Sequence, residues 1–243
     1  MRDSYKKDLA FIHDRGFGGI SVAAAAEVAR ILRQRGIDEG LVVDLGCGSG
    51  ALAGRLCNSG YSVLGLDISP AMINLARKNA PAARFKVGSL FDAELPPCVA
   101  VTSIGECVNY VADGRKNSHS LSRLFKRVFE ALKPGGIFLF DIAEHGQVAL
   151  GTKVKSHLEG DGWAVMTEKC EEDGILTRRI VTFRRSGRAY RRSEELHVQQ
   201  LYRANEIAAE LRSIGFTVRR IKRYGDHPLL PARTALVAGK RRE

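Results

Sequence analysis

The 243-residue sequence lacks any apolar run of membrane-spanning length. Its quietest stretch, Ile20 to Ala29, is broken by Ser21 and Glu27, and a spanning helix needs about 20 apolar residues in succession. The charged start, Met1-Arg2-Asp3-Ser4-Tyr5-Lys6-Lys7-Asp8, has neither the apolar stretch nor the small-residue cleavage site of a secretory leader. The expected location is the cytoplasm. Cysteine is scarce and odd in number: Cys47, Cys57, Cys98, Cys107 and Cys170 form no Cys-x-x-Cys pair, and no histidine stands at zinc-ligand spacing. Neither a disulfide framework nor a metal site is supported, and buried free thiols in a reducing compartment are expected. Prolines number 7 against 25 glycines, a balance that suits many tight turns. Internal repeats and low-complexity linkers are absent. With 44% hydrophobic and 27% charged residues, the composition is that of a folded globular chain and not of a disordered one.

The formal net charge of +11 is unevenly placed: residues 1–120 carry +2 and the remainder +9. The densest cluster is Arg178, Arg179, Arg184, Arg185, Arg188, Arg191 and Arg192, with no acid between the first and the last. Such a run marks either a surface for a polyanion or the solvated face of a strand pair, where charge discourages edge-to-edge association.

Periodicity alternates strand and helix signals. Leu41 to Gly46 is a short β-branched apolar run, and Tyr61 to Asp67 is another that ends on an acid. A short helix fits residues 50–58 between them. Ser69-Pro70 then opens a helix, with serine as N-cap, proline at the first position and Met72, Ile73, Leu75 and Ala76 as the apolar stripe. Arg84 to Gly88, Cys98 to Ile104 and Ile137 to Ile142 read as further strands. Residues 117–132 carry Leu121, Leu124, Phe125, Val128, Phe129 and Leu132 at helical spacing, stopped by Lys133-Pro134-Gly135-Gly136. Repeated strand–helix–strand units imply a doubly wound, mostly parallel sheet.

After residue 145 the pattern changes to an antiparallel meander: Trp163 to Lys169, Ile175 to Arg184 and Tyr190 to Gln200, with turns at Glu172-Asp173-Gly174 and Ser186-Gly187. A helix over 203–214, then strands at Phe216 to Arg223 and Thr234 to Gly239, complete the pattern, and a helix over 20–35 precedes the first strand. One domain over 1–243 is expected, with an N-terminal lid and helix at 1–36 and a β-rich insert at 146–202.

The informative stretch is Val42-Val43-Asp44-Leu45-Gly46-Cys47-Gly48-Ser49-Gly50, a glycine-rich turn between a strand and its helix. In an open parallel sheet this turn lies where ligands bind. Glycines let backbone approach a ligand, and the free N–H groups of the next helix face it. Asp67, ending the second strand, is placed to accept both hydroxyls of a ribose, so a cofactor containing adenosine is expected. Gly46, Gly48 and Ala51 also satisfy G-x-G-x-x-A, which leaves a dinucleotide and an NAD(P)-dependent oxidoreductase open at this point.

The stretch from Val42 to Gly50 resembles the first motif of class I S-adenosylmethionine-dependent methyltransferases. The resemblance continues in order through Leu66-Asp67-Ile68-Ser69-Pro70-Ala71-Met72, Leu132-Lys133-Pro134-Gly135-Gly136 and Leu211-Arg212-Ser213-Ile214-Gly215-Phe216. It implies a seven-stranded Rossmann-like sheet with a terminal antiparallel hairpin and an inserted antiparallel β cap, and S-adenosyl-L-methionine as cofactor. By position it implies that Gly46, Cys47 and Gly48 approach the methionine part of the cofactor, with Asp44 nearby, and that Asp67 binds the ribose. Ile68 and Met72 would pack on adenine, and Ser89 and Leu90 would contact it, although many members carry an acid at the place of Ser89. Ser103-Ile104-Gly105 would offer a carbonyl to the ammonium, and Tyr5, with Phe11 and His13, would fold over the cofactor.

A sulfonium methyl is already activated, so methyl transfer guarantees no catalytic signature; a base is needed only when the nucleophile arrives protonated. Candidates are Glu106, Asn109 and Tyr110 after the fourth strand, His145 after the fifth, and His197 in the last strand of the insert. A β-rich insert before the terminal hairpin is similar to that of small-molecule methyltransferases, which favours a small N or O acceptor. RNA is the alternative partner, motivated by the basic second half, although Asn-Pro-Pro-Tyr is missing and Pro97-Cys98 precedes its strand.

Overall fold

The computed structural model describes residues 4–111 and 118–242. Residues 1–3 of the expected N-terminal segment and residue 117, the expected start of the long helix, lie outside these. The principal sheet is built from β1 (Gly40–Leu45), β2 (Tyr61–Asp67), β3 (Arg84–Val87), β4 (Cys98–Ser103), β5 (Leu132–Ala143), β10 (Thr217–Ile221) and β13 (Arg233–Gly239). Its order is β10-β13-β5-β4-β1-β2-β3. The pairs β1–β2, β1–β4, β2–β3 and β4–β5 are parallel, and β13 runs antiparallel between β5 and β10. This is the mostly parallel sheet that the alternating pattern implies, with the seven strands and terminal antiparallel hairpin that the resemblance implies.

Two cores cover it. On one face α2 (Gly19–Gln34), α3 (Ala51–Asn58) and α4 (Pro70–Asn79) bury Val28, Leu32, Leu56 and Ile73 against Val42, Val63 and Leu139. On the other, α5 (Ser118–Ala131) and α6 (Ala204–Ile214) bury Leu124, Phe125, Ile207 and Leu211 against Val43, Val101 and Phe140. Strands carry apolar residues on both sides, as burial on two faces demands.

A second, four-stranded antiparallel sheet runs in the order β6-β7-β8-β9, from β6 (Lys153–Gly160), β7 (Trp163–Glu172), β8 (Ile175–Ser186) and β9 (Ala189–Gln200). Three of these strands follow the expected meander. β6 does not: it is an edge strand exposed at every residue, so its two apolar residues, Val154 and Leu158, make no recognisable buried face. The N-terminal region also differs from the expected single helix. A separate helix, α1 (Lys7–Gly16), precedes α2, and its Leu9 and Ile12 pack against Trp163, Val165 and Ile180 of the second sheet. The loop before β13 contains a further two-residue pairing, β11 (Arg223–Tyr224) with β12 (His227–Pro228).

Candidate active site

The carboxyl ends of the parallel strands meet at a cleft built on the glycine turn after β1. Gly46 has φ +76°, and a Cβ there would lie 2.5 Å from Cys107 Sγ, so backbone conformation and space both require glycine. The Gly46 and Cys47 amides donate to the Leu66 carbonyl at 2.7 and 2.9 Å, pinning the turn to the end of β2. The next amide, Gly48, donates to Asp67 Oδ2 at 2.9 Å, and Ser69 N–H donates to Asp67 Oδ1 at 2.8 Å. Each Asp67 oxygen therefore keeps acceptor capacity. Ser69 Oγ caps α4 by accepting the Met72 amide and donates to the Tyr5 carbonyl at 2.7 Å.

Two acids beneath the turn are perturbed. Burial raises the Asp67 carboxyl, against the pull of its amide donors. Burial also drives Asp44 up to about 7, with the Asp67 charge adding to the rise and the hydrogen bond from Thr102 Oγ1, at 2.7 Å, opposing it.

The cleft is lined by Gly46, Cys47, Gly48, Asp67 and Met72 on one side and by Ile104, Gly105, Cys107 and Tyr110 on another. Tyr5, His13 and Ile20 close it from the N-terminal region. Nothing lies within 4 Å of a Cβ built at Gly48 or Gly105, so the backbone is open at both points. Ser103, at the end of β4, is fully buried and its Oγ has no hydrogen-bond partner. Ile68, Ser89 and Leu90 are outside this lining. Ser89 Oγ accepts the Phe91 amide at 3.2 Å, and the Leu90 carbonyl accepts from Arg127 at 3.3 Å.

Four residues from three distant segments converge at the N-terminal side. Tyr5 and Tyr110 hydroxyls are 3.3 Å apart, and the Tyr110 hydroxyl is 3.1 Å from His197 Nδ1. His197 Nε2 lies 2.9 Å from Glu195 Oε2, and the Glu195 carboxylate also accepts the Tyr5 and Lys6 amides at 2.6 and 2.9 Å. His197 is 1% exposed. Burial pushes Tyr5 up to about 12 and Tyr110 well above the usual tyrosine range, and it lowers His13. Tyr5, Tyr110 and His197 were separate expectations from sequence; Glu195, the residue that links them, was not among them. Its one local signal is the i, i+2 spacing that puts Glu195 and His197 on the same face of β9.

The remaining candidates are held elsewhere. Glu106 is buried in a left-handed turn (φ +52°) and pairs with Arg178 at 2.9 Å and with Arg233. Burial raises its carboxyl, but the two guanidiniums outweigh that and hold it below its ordinary range. A carboxylate so paired is a structural anion and a weak base. Asn109 is also fully committed: its amide donates to the Ala143 and Gln200 carbonyls at 3.0 and 2.6 Å and its Oδ1 accepts the Ala143 amide. His145 sits outside the cleft beside the Gly174 turn, 3.8 Å from Glu171. Asp141, on β5, was not singled out by sequence, yet its carboxylate accepts the Gly105 and Glu106 amides and the Tyr224 hydroxyl.

The arginine run is largely neutralised by acids that are remote in sequence or at its edge. Arg178 pairs with Glu106, Arg179 and Arg192 with Glu194, Arg185 with Asp161, and Arg184 and Arg191 with the buried Asp8 of α1. Arg184 also lies 3.7 Å over the Phe11 ring. A free polyanion surface is therefore not what this cluster presents. Among the described residues, no group of three or more His, Cys, Asp or Glu is placed to hold a metal ion, and no helix is long and apolar enough to cross a membrane.

Comparison with known proteins agrees with this geometry. A family model described as a methyltransferase domain matches residues 42–136, from β1 to the start of β5. A protein named putative methyltransferase YqeM from Bacillus subtilis (strain 168) is 26% identical over 197 residues, covering 76% of each chain. A dTDP-3-amino-3,4,6-trideoxy-alpha-D-glucopyranose N,N-dimethyltransferase from Streptomyces venezuelae is 25% identical over 226 residues, covering 90% of this chain and 94% of that one. The solved S-adenosylmethionine-dependent methyltransferase from Clostridium acetobutylicum ATCC 824 superposes with a TM-score of 0.81 at 21% identity, over 96% of this chain and 97% of that one. The glycine turn, the acid that ends β2, the sheet order and the antiparallel last strand stand together in one chain: residues 42–136 match a methyltransferase domain, and the chain has the fold of S-adenosylmethionine-dependent methyltransferases.

Proposed function

We propose that this enzyme N-methylates the amine of a small molecule, within a single domain in which residues 1–36 act as a lid and residues 146–202 cap the acceptor. The observation that carries this reading is the hydrogen-bonded chain Tyr5–Tyr110–His197–Glu195, which begins at the cleft and ends on a buried carboxylate. The Streptomyces venezuelae relative, named as an amino-sugar N,N-dimethyltransferase, supports an amine acceptor and a sugar as its frame. The five free cysteines suit a reducing cytoplasm.

The cofactor supplies an electrophilic methyl on a sulfonium, and the cleft fits it. Asp67 has acceptor capacity for two ribose hydroxyls, Met72 of the lining would offer an apolar wall for adenine, and the open backbone at Gly48 and Gly105 admits a ligand without side-chain interference. Asp44 and the Ser103-Ile104-Gly105 backbone would hold the methionine end. Holding a nucleophile in line is the main task, and orientation of this kind contributes roughly 7–11 kcal/mol.

An alkyl amine arrives as an ammonium and must lose a proton before it attacks. Glu195 accepts His197 Nε2–H, which leaves Nδ1 as an acceptor for the Tyr110 hydroxyl. Tyr110 oxygen in turn accepts the Tyr5 hydroxyl, so the Tyr5 oxygen presents lone pairs to an ammonium N–H. The proton leaving the ammonium goes to Tyr5 oxygen, the Tyr5 proton to Tyr110 and the Tyr110 proton to His197 Nδ1. The resulting imidazolium is stabilised by Glu195. Each hydroxyl ends as it began, with one proton, and assistance of this type is worth about 10²–10⁴-fold.

The test is single-turnover methyl transfer to a panel of amines, phenols and carboxylates. The expected result is transfer to amines, slowed about 100-fold or more in His197→Gln at pH 7, with cofactor affinity intact and the rate recovered as pH rises and the amine deprotonates. Transfer confined to oxygen acceptors, or an unchanged rate in His197→Gln, overturns it.

A further inference from the structure

Resting on the amine reading above, we infer that the acceptor carries an anionic group, a phosphate or a carboxylate, and that Lys169, Arg178 and Arg233 receive it between the second sheet and the ends of β4 and β5. Lys169 on β7 and Arg178 on β8 are directly opposed in register, so their side chains share a face. Arg233 begins β13 opposite Ala143, at the end of β5. Among the described residues, the one carboxylate that pairs with this group is Glu106, which meets both arginines. Three cations around one anion leave a surplus of two positive charges in a poorly hydrated place: the side chains of Arg178 and Arg233 are 11% and 13% exposed.

A structural ion pair would need one arginine for Glu106. The extra charge is unmet here in three ways. The Nε atoms of Arg178 and Arg233 are both buried without a hydrogen-bond partner. Among the described residues, the Lys169 ammonium has no hydrogen-bond or ion-pair partner. Burial and the two neighbouring arginines also lower the Lys169 pKa, which is the mark of like charges held together. Elsewhere on the same sheet the opposite holds, since Arg179, Arg184, Arg191 and Arg192 each meet a carboxylate. An oxyanion with two or three acceptor oxygens meets the donors that are left open, and guanidinium and ammonium donors suit it.

The place is right for an acceptor. Arg178 is opposed in register by His197, and Glu106 immediately precedes Cys107 of the cleft lining. An acceptor fixed by its anion at this cluster extends toward the Tyr5 and Tyr110 hydroxyls, where its amine would lose a proton. The charge cluster then selects amines that carry an oxyanion and rejects neutral or polycationic amines.

The experiment is calorimetric titration of the protein saturated with S-adenosylhomocysteine, at constant ionic strength, with inorganic phosphate, inorganic pyrophosphate and succinate. The phosphate and pyrophosphate arms against the succinate arm tell which oxyanion is preferred. Saturable binding of at least one is expected, weakened about tenfold or more in Lys169→Gln and restored in Lys169→Arg, with S-adenosylhomocysteine affinity unchanged in both variants. Lys169 breaks no ion pair when replaced, so the unchanged cofactor affinity also reports an intact fold. Absence of saturable binding for all three anions, or equal binding by wild type and Lys169→Gln, overturns the inference. Anion binding as expected, with methyl transfer confined to oxygen acceptors, overturns the amine reading and leaves the anion site standing.

Discussion

The Asp141 carboxylate accepts the Glu106 amide at 2.6 Å from across neighbouring strand ends. The same carboxylate takes the Gly105 amide at 3.1 Å and the Tyr224 hydroxyl at 2.8 Å. Burial, joined by the Glu106 charge, raises this carboxyl to about 6. One side chain thereby fixes the turn that carries the cleft residues Gly105 and Cys107 and the anion Glu106. Asp141→Ala leaves the Tyr224 hydroxyl and the two amides to find new partners, at about 1–3 kcal/mol for each group left unsatisfied. The expected outcome is a fall in melting temperature of several degrees by calorimetry, with a smaller fall in Tyr224→Phe, which removes one donor. Equal stability of wild type and Asp141→Ala would refute the clamp.

Asp67→Ala removes the proposed acceptor for the ribose hydroxyls and frees the Gly48 and Ser69 amides that it organises. Hydrogen bonds to a charged acceptor contribute about 1.5–3 kcal/mol each. S-adenosylhomocysteine affinity should drop about 100-fold or more by calorimetry, and near-normal affinity would overturn the assignment of this acid.

Cofactor binding should carry a proton signature. Asp44 and Asp67 both have raised pKa values in the free protein, Asp44 at about 7, so each holds a proton to higher pH than an ordinary carboxyl. A cation brought nearby favours the ionised form, and binding then releases protons. Affinity for S-adenosylmethionine is therefore full above pH 7 and weakens as pH falls through and below 7, by up to about tenfold per unit for one proton released. S-adenosylhomocysteine, without the sulfonium charge, should show a shallower slope. Titrations in buffers of different ionisation enthalpy measure the release directly, and identical slopes for the two ligands would contradict it.

Asp8 joins α1 to the second sheet. Its hydrogen bond from Arg191, against the opposing effect of burial, holds its carboxyl below the ordinary range. A depressed carboxyl contributes stability above its unfolded pKa of about 3.9, and that contribution is lost as pH falls through the lower folded value. Docking of α1 should accordingly fail only in acid. At neutral pH, Asp8→Ala should speed proteolytic cutting within residues 7–18 and increase the dissociation rate of S-adenosylhomocysteine. Unchanged cutting and dissociation would separate α1 from cofactor retention.

How far sequence reaches is visible in these same residues. The glycine turn, Asp67 and the Ser69-Pro70 helix start were legible because each is a local pattern with a local physical cause. The mostly parallel character of the sheet followed from alternating periods and a few turn residues, whereas its strand order rests on pairings remote in sequence. Glu195 and Asp141 were not legible as site residues, because their roles exist only through partners such as Tyr5 and Glu106, which are remote in sequence. The arginine run left two readings open for the same reason, since its counterions lie outside the run, among them Asp8 in α1 and Glu106 after β4. Glu106 looked like a free acid because its two arginines lie 72 and 127 positions downstream. β6 escaped because an edge strand that buries nothing writes no period into its residues.

The packing of Leu9 and Ile12 against Trp163, Val165 and Ile180 has a kinetic consequence. The helix that carries His13 of the cleft lining rests on the second sheet. If residues 1–36 are the proposed lid and the second sheet the proposed cap, loosening one would loosen the other, and a variant that weakens this contact would change cofactor release and acceptor access together.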